Sequence, residues 1–330
     1  MTGADVRAFL ALALALVLLT GCDSALDGPG PQTATAAVTS SAATTVSITP
    51  VTPDGMITGP GVTDEAITLG LLVDPGRDRG FSDGVRLWQQ TVNSSGGLCG
   101  RTVQLATAGV AMVPAGLAQA YDSVGRSTLG LITLPEPAEA VALNSRIVAD
   151  QIPALTPAGS SAQLGPGRPI VVGPTDDVLA INGLDYLAQT DRLAQGATVG
   201  VLTDGSATAD NALAGARWWA DRHQITLDVR TATDQQNAPA GWDPATAVLA
   251  LTDAATTARL AAAVPSTVTI LTTVDGYDPT TWGQDALAAA TAGRVLVTTA
   301  TPAFSSDYPA AVAVASRAAS VGGITPGPRL

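Results

Sequence analysis

From residue 66 onward the chain alternates short apolar, β-branched runs with longer stretches in which apolar residues recur every three or four positions. The first run, Ile67 to Val73 (ITLGLLV), is closed by Asp74-Pro75-Gly76 and carries no interior polar break except Thr68. That length and composition predict a parallel strand buried on both faces. Phe81, Val85, Trp88 and Val92 then fall at i, i+4, i+7 and i+11, which predicts an amphipathic helix with these four side chains, Trp88 included, on its core face. Gly96-Gly97 ends that helix and Thr102 to Leu105 begins a second strand, so the stretch reads as a βαβ unit. The loop of such a unit opens at the carboxyl edge of the sheet, where these folds bind ligands.

The alternation continues. Helices are expected over Pro114 to Ser127 and Glu136 to Asp150, and strands over Leu129 to Leu134, Ile152 to Leu155 and Pro169 to Gly173. Asp176-Asp177 open another helix with Thr175 as its cap. The series then restarts, with strands expected over Thr198 to Thr203, Ile225 to Val229, Ala247 to Leu251, Val268 to Thr273 and Val295 to Thr299. Helices fall between them over Ala209 to His223, Asp253 to Val264 and Thr280 to Thr291. Strand and helix alternation of this kind predicts α/β architecture with parallel sheets covered on both faces. A restart within roughly 270 residues fits two lobes of ordinary size better than one. The lobes are drawn at residues 62–174 and 175–300, with 301–330 returning towards the first.

Ahead of this region the pattern is different. Arg7 precedes the apolar run FLALALALVLLTGC, too short for an ordinary spanning helix, and residues 1–21 read as a signal peptide. Leu19-Thr20-Gly21-Cys22 fits the lipobox of bacterial lipoproteins, which makes Cys22 the expected lipid attachment site. Two or three acyl chains on one cysteine meet the requirement of stable anchoring for more than one chain. Residues 22–61 then turn to Thr, Ser, Ala, Pro and Gly, with almost no charge and no apolar periodicity. Such a segment cannot bury enough surface to offset its ordering entropy, and a disordered linker with a reach on the order of 35 Å is expected.

The stretch GVTDEAITLGLLVD followed by W-x-x-x-V-N-S-S-G-G-L-C-G-R-T-V-Q-L resembles the start of type I extracytoplasmic solute-binding proteins of the branched-chain amino acid transporter class. In that family the phrase N-x-x-G-G-[VIL]-x-G-R ends the first helix and turns into the second strand. The resemblance implies two Rossmann-like lobes joined by a hinge, as in type I periplasmic binding proteins, with a small ligand captured between them for an ABC permease. It also implies candidate ligand-binding residues. Pro157-Ala158-Gly159-Ser160-Ser161 stands where the family carries P-A-[AS]-[TS], so Gly159, Ser160 and Ser161 become candidates. Small hydroxylated residues and free N–H groups there suit a carboxylate, and a plain Gly/Ser turn also reads from these residues. Thr273-Val274-Asp275-Gly276 matches the family's acidic residue before glycine, which would pair Asp275 with a ligand ammonium; Asp-Gly is equally a common turn dipeptide. The chain departs from the family at Thr133-Leu134-Pro135-Glu136-Pro137, in place of a run of Ser and Thr, which leaves Thr133 as the candidate hydroxyl beside a repelling Glu136. It departs again at Asp204-Gly205-Ser206-Ala207-Thr208, and the segment from Thr301-Pro302-Ala303-Phe304 to Leu330 is shorter than in family members. Standard branched-chain amino acids are therefore not the expected ligand.

Charge narrows the partners. Sixteen basic residues, all of them Arg, stand against 28 acidic ones for a net charge of −12. Nucleic acid is excluded as an expected partner because phosphate binding needs clustered positive charge. The absence of Lys removes Schiff-base chemistry and any P-loop. One histidine and two cysteines cannot build a zinc site, and no cofactor is expected. Cys99 is expected to be buried in the turn between helix and strand, with pairing to another molecule as the other possibility for a lone thiol in an exported protein. His223 follows Trp218, Trp219 and Arg222 at a helix end, where a capping or surface role is expected. With no Gly-x-Ser-x-Gly elbow and no second histidine, acyl-transfer chemistry has no support and an enzyme is not expected. Trp242 and Trp282 lie near expected loops and are candidate ligand stackers.

The expected function is thus a membrane-anchored extracytoplasmic solute-binding protein for an amino acid, amide or similar small polar ligand. The alternative is a non-transport envelope lipoprotein that uses the same fold as a sensor or interaction scaffold.

Overall fold

The computed structural model describes residues 57–76, 78–109, 114–134, 137–157, 159–165, 169–232, 247–303 and 306–321. Cys22, most of the expected linker, Pro135, Glu136, Ala158, Trp242 and Phe304 lie outside the described residues.

Two parallel sheets of five strands each form the molecule. The first holds β1 (Ala66–Val73), β2 (Thr102–Gly109), β3 (Gly130–Thr133), β4 (Ala154–Thr156) and β5 (Ile170–Val171), in the order β2-β1-β3-β4-β5. Its helices are α1 (Arg79–Ser94), α2 (Pro114–Val124) and α3 (Pro137–Ala149). The chain then enters α4 (Asp176–Gln189) and builds the second sheet from β6 (Thr198–Thr203), β7 (Thr226–Thr231), β8 (Ala247–Leu251), β9 (Thr269–Thr273) and β10 (Val295–Thr298). Here the order is β10-β9-β8-β6-β7, which read from the other edge is the order of the first sheet. Helices α5 (Ala207–His223), α6 (Ala254–Ala263) and α7 (Gln284–Thr291) connect these strands, and α8 (Pro309–Val321) follows. The repeated order places a topological switch point between β1 and β3 in one sheet and between β6 and β8 in the other.

The second sheet shows why its strands are continuous apolar runs. Val199, Val201, Ala247, Leu249 and Leu251 point into one core with Leu184, Leu187, Leu213 and Trp219 of α4 and α5. The alternate residues Leu202, Val248, Ala250 and Ile270 pack on the other face against Leu260, Ala261, Ala286 and Ala289 of α6 and α7. Both parities of the inner strands β6, β8 and β9 are buried, so alternation disappears from their sequence. In the first sheet Leu72, Leu131 and Ala154 meet Leu117, Tyr121, Leu143 and Ile147 of α2 and α3.

Helix α1 departs from its expected orientation. Trp88 is 40 % exposed, and Phe81, Val85 and Val92 are only half-buried. The reason is the edge strand β2, whose backbone at Val103 has no neighbouring strand on that side. Asn93 Nδ2 and Gln89 Nε2 donate to Val103 O at 2.9 and 3.0 Å, and Val103 N–H donates to Asn93 Oδ1 at 2.8 Å. These two polar side chains lie about a quarter-turn around the helix from Phe81 and Val85. Satisfying the strand edge therefore turns Trp88 outward. Helix α8 packs on α1, where Arg317 donates to Thr91 Oγ1 and Ser94 Oγ at 3.2 and 2.9 Å.

Cys99 is exposed rather than buried. Leu98 and Arg101 exchange backbone hydrogen bonds of 2.9 and 3.0 Å across Cys99 (φ 51°) and Gly100 (φ 75°). Positive φ at both central residues is the signature of a type I′ turn, and the tip of such a turn faces solvent. The preceding Gly97 has φ 80°, and a Cβ there would stand 2.0 Å from Arg101 O, so the Gly-Gly of the motif is required by the turn.

Candidate functional site

The site is assembled from the loops at the carboxyl ends of the strands. After β1, Asp74 N–H donates to Asp78 Oδ2 at 2.9 Å and Gly76 N–H donates to Asp74 Oδ1 at 2.8 Å, which folds the loop back on itself. Asp78, only 3 % exposed, is thereby a buried carboxylate at the mouth of the first sheet. The sequence did not single it out. Thr133, the last residue of β3, is fully buried, and among the described residues its hydroxyl has no hydrogen-bond partner.

After β4 the chain makes one 3-10 turn, Ser161–Gln163, with Ser160 as its N-cap. Ser160 Oγ accepts from Ala162 N–H at 3.3 Å, and Ser160 N–H donates to Gln163 Oε1 at 3.3 Å, a reciprocal capping box. Gly159 is buried beneath it; a Cβ there would lie 3.0 to 3.2 Å from Val171, Thr175 and Pro174. Ser160 is buried and Ser161 half-buried, so Ser161 presents the accessible hydroxyl of this turn.

In the second sheet the equivalent fourth strand, β9, runs directly into a 3-10 turn, Val274–Gly276, which exposes Asp275. The turn is fixed from below by buried threonines. Thr272 Oγ1 donates to Ala250 O at 2.9 Å, and the Thr252 and Thr257 hydroxyls lie 3.1 Å apart. Gly276 sits directly on this group, since a Cβ there would be 2.0 Å from Thr272 Oγ1 and 2.9 Å from Thr257 Oγ1. Asp204, after β6, accepts from Ser206 N–H at 2.8 Å, and Asp253, after β8, caps α6 by accepting from Thr256 N–H at 2.8 Å. The carboxyl edges thus carry Asp74 and Asp78 in one sheet and Asp204, Asp253 and Asp275 in the other.

The two edges meet at Ser161. Its N–H donates to Asn211 Oδ1 at 3.2 Å, and Asn211 Nδ2 donates to Ser161 Oγ at 2.7 Å. Asn211 lies on α5, the helix that follows the carboxyl end of β6, so the loop after β4 of the first sheet faces the loop region after β6 of the second. Helix α3 also touches α5. The chain crosses between the sheets next to Gly173, where a Cβ would lie 3.5 Å from Ala300, two residues past the end of β10. Asn211 was not legible as a site residue in the sequence; its one signal is its place soon after the departing Asp204–Thr208 loop.

Other expected candidates fall away from this edge. Trp282 is 5 % exposed and packs edge-to-face on Tyr277, with ring centroids 5.0 Å apart, in the core of the second sheet. It is a core residue, not a ligand stacker. His223 is exposed at the end of α5; its Nδ1 lies 2.8 Å from Trp219 O and its ring stacks on Trp219 at 4.1 Å. A cavity of about 440 Å³ lies elsewhere, between α4 and the edge strand β10, lined by Leu179, Asn182, Tyr186, Leu296 and Thr298 among others. Among the described residues no group of three His, Cys, Asp or Glu is placed to hold a metal ion, and no helix is long and apolar enough to cross a membrane.

Two α/β lobes of one topology, with facing carboxyl edges, are the architecture of type I periplasmic binding proteins, and the solved structures this chain matches include ABC transporter substrate-binding proteins. The structure is similar to the fatty acid ABC transporter substrate-binding protein from Thermomonospora curvata, with 26% sequence identity, a TM-score of 0.68, and coverage of 82% of this chain and 73% of that one. It is also similar to an ABC transporter substrate binding protein from Aeropyrum pernix, with 18% identity, a TM-score of 0.62, and coverage of 78% and 72%. A third is a solute-binding protein from R. palustris in complex with benzoate, with 15% identity, a TM-score of 0.59, and coverage of 79% and 76%. No family model matches the sequence. No curated relative matches it either.

Proposed function

We propose that this chain is the solute-binding component of an ABC transporter, held outside the membrane by a lipid on Cys22, and that it captures a small polar ligand between its two lobes. The observation that carries this reading is the meeting of the two carboxyl edges at Ser161 and Asn211, which brings together the loop ends where such sheets bind ligands. The structural similarity to substrate-binding proteins supports it. Ser161 and the buried Ser160, Gly159 and Thr133 form the first lobe's part of the proposed site, and Asp275 the second lobe's. The names of similar proteins mention a fatty acid and benzoate, and a carboxylate is one end of the proposed ligand. The aspartates along both edges favour an ammonium or amide group at the other end, which points to an amino acid or a related amide. Such a ligand closes the lobes only by as much as its contacts differ between open and closed forms.

A thermal-shift screen of the purified protein against amino acids, amides, small carboxylates and sugars tests the proposal. A ligand at 100 times its dissociation constant stabilises the folded state by about 2.7 kcal/mol. A hit that is lost in Asp275→Ala, with folding intact, establishes a solute receptor and its cationic subsite. A cooperatively unfolding protein with no hit in the panel moves the assignment to an envelope sensor or scaffold.

A further inference from the structure

We infer that Asn211 is a built-in clasp that holds the two lobes together in the absence of ligand by occupying the polar groups of Ser161. The inference needs only the interlobe geometry, and its link to ligand capture rests on the solute-binding proposal above. The Asn211 carboxamide engages Ser161 twice: its oxygen takes the backbone N–H at 3.2 Å and its nitrogen donates to the side-chain oxygen at 2.7 Å. The planar amide and the Ser161 N–H and Oγ form a matched pair of one donor and one acceptor on each side, as a carboxamide-bearing ligand would. Asn211 is held by the body of α5, whose neighbours Ala209, Ala212 and Leu213 are buried in the second lobe's core. Ser161 is held by the capping box after β4. Neither partner is a mobile loop tip, so each lobe presents its half of the clasp pre-positioned, and little side-chain entropy is lost on closing.

Apolar packing is divided between the lobes. Each buried hydrophobic cluster belongs to one lobe: two are built from residues 180–296 and one from residues 72–154. No buried hydrophobic cluster among the described residues spans both lobes, so beside the contact of α3 with α5 the reciprocal pair of part-buried hydrogen bonds holds the edges together. A ligand group that takes Ser161 must first displace Asn211, which makes this residue a competitor for the site and a determinant of which polar groups gain from binding there.

The experiment measures lobe separation without ligand. The full chain carrying Cys22→Ser and Cys99→Ser receives spin labels at Gln119→Cys on α2 and Asp221→Cys on α5, both exposed positions in different lobes, and the interlabel distances are read by pulsed electron resonance. The parental protein is expected to show a dominant closed population. Asn211→Leu, similar in size but without hydrogen bonds, is expected to lower the closed-to-open ratio about tenfold, the equivalent of two hydrogen bonds of modest net strength. Asn211→Asp, which accepts from both the N–H and the hydroxyl of Ser161, is expected to stay closed, and Ser161→Ala to fall between. An unchanged distribution in Asn211→Leu overturns the clasp, and so does opening in Asn211→Asp equal to that in Asn211→Leu. Should Asn211→Leu fail to unfold cooperatively, Ser161→Ala decides: an unchanged distribution there overturns the inference. No ligand is added, so failure of the solute-binding proposal leaves the result intact.

Discussion

Gly276 is the position where a single methyl group tests how the candidate site is supported. A Cβ there would stand 2.0 Å from Thr272 Oγ1, 2.9 Å from Thr257 Oγ1 and 3.2 Å from Thr252 O. The Thr257 contact is with the end of a side chain and can relax. Thr272 cannot do so cheaply, because it is fully buried on β9 and its hydroxyl donates to Ala250 O at 2.9 Å. Gly276→Ala therefore either breaks that buried hydrogen bond or lifts the 3-10 turn that carries Asp275. Overpacking a tight site and leaving a buried polar group unpaired together cost about 2 to 4 kcal/mol. At roughly 2 to 4 °C per kcal/mol for a domain of this size, the unfolding midpoint falls by about 4 to 16 °C. The decisive comparison is a double-mutant cycle. Thr272→Ala alone costs about 1 to 2 kcal/mol through its lost hydrogen bond and small cavity, but it removes the atom that the methyl group added at Gly276 would meet. The double variant is expected within about 1 kcal/mol of Thr272→Ala alone, a coupling near 2 kcal/mol. Urea titrations of all four proteins give the four free energies. Additive effects within about 0.5 kcal/mol would refute the close approach as the cause.

Other consequences are as direct. Tyr121 is buried and donates to Asp150 Oδ2 at 2.6 Å, and Arg126 Nε donates to the same oxygen at 2.9 Å. Burial first, and then the bond to Asp150, push the Tyr121 phenol well above its usual value, while the bonds from Tyr121 and then Arg126 hold Asp150 below the usual carboxylate range. Tyr121 thus contributes stability that is complete below the ordinary phenol pKa near 10 and is lost as pH rises beyond it; Asp150 contributes stability that is present above an unfolded carboxylate pKa near 4 and is lost as pH falls below it. Melting midpoints across the pH range should fall less steeply at both ends in Tyr121→Phe, and unchanged slopes would contradict the network. Gly97→Ala, which combines φ 80° with a Cβ 2.0 Å from Arg101 O, should destabilise by about 2 kcal/mol or more in a urea titration. Cys99 should react with a thiol reagent in the native protein as fast as in urea, and Cys99→Ser should remove that reaction; protection until unfolding would show the turn to be wrongly placed.

The fold was legible where the local signal and the tertiary demand agree. β6 and β8 occupy the expected Thr198–Thr203 and Ala247–Leu251, because strands buried on both faces must be apolar at every position. α7 begins at Gln284 rather than Thr280, since Asp278 Oδ1 accepts from Thr280 N–H at 3.0 Å and from its hydroxyl at 2.6 Å, a local turn that competes with helix. Trp88 and Cys99 were misplaced for reasons outside their own periodicity: one helix serves an edge strand with Gln89 and Asn93, and a two-residue turn with positive φ throws its tip outward. At the site, the family-like Gly159-Ser160-Ser161 could be found in the sequence because it is contiguous. Its partner Asn211 is fifty residues away on another lobe and leaves no pattern that periodicity can detect.

The division of hydrophobic and polar contacts between and within lobes bears on how such a molecule can work. No buried hydrophobic cluster among the described residues is shared between the lobes, so parting them opens none of those clusters, and the roughly 25 cal/mol per Å² attached to apolar burial applies only to smaller contacts such as that of α3 with α5. On the proposed clasp, the two hydrogen bonds of Asn211 with Ser161, worth about 0.5 to 1.5 kcal/mol each, are then a sizeable part of the balance between open and closed forms. An equilibrium balanced on terms of that size is movable by a ligand of a few polar contacts, whereas a hydrophobic interlobe interface would hold the cleft shut against it. The same reasoning locates sensitivity. Substitutions inside either core should change stability with little effect on lobe separation, and substitutions at Ser161 or Asn211 should change lobe separation with little effect on stability.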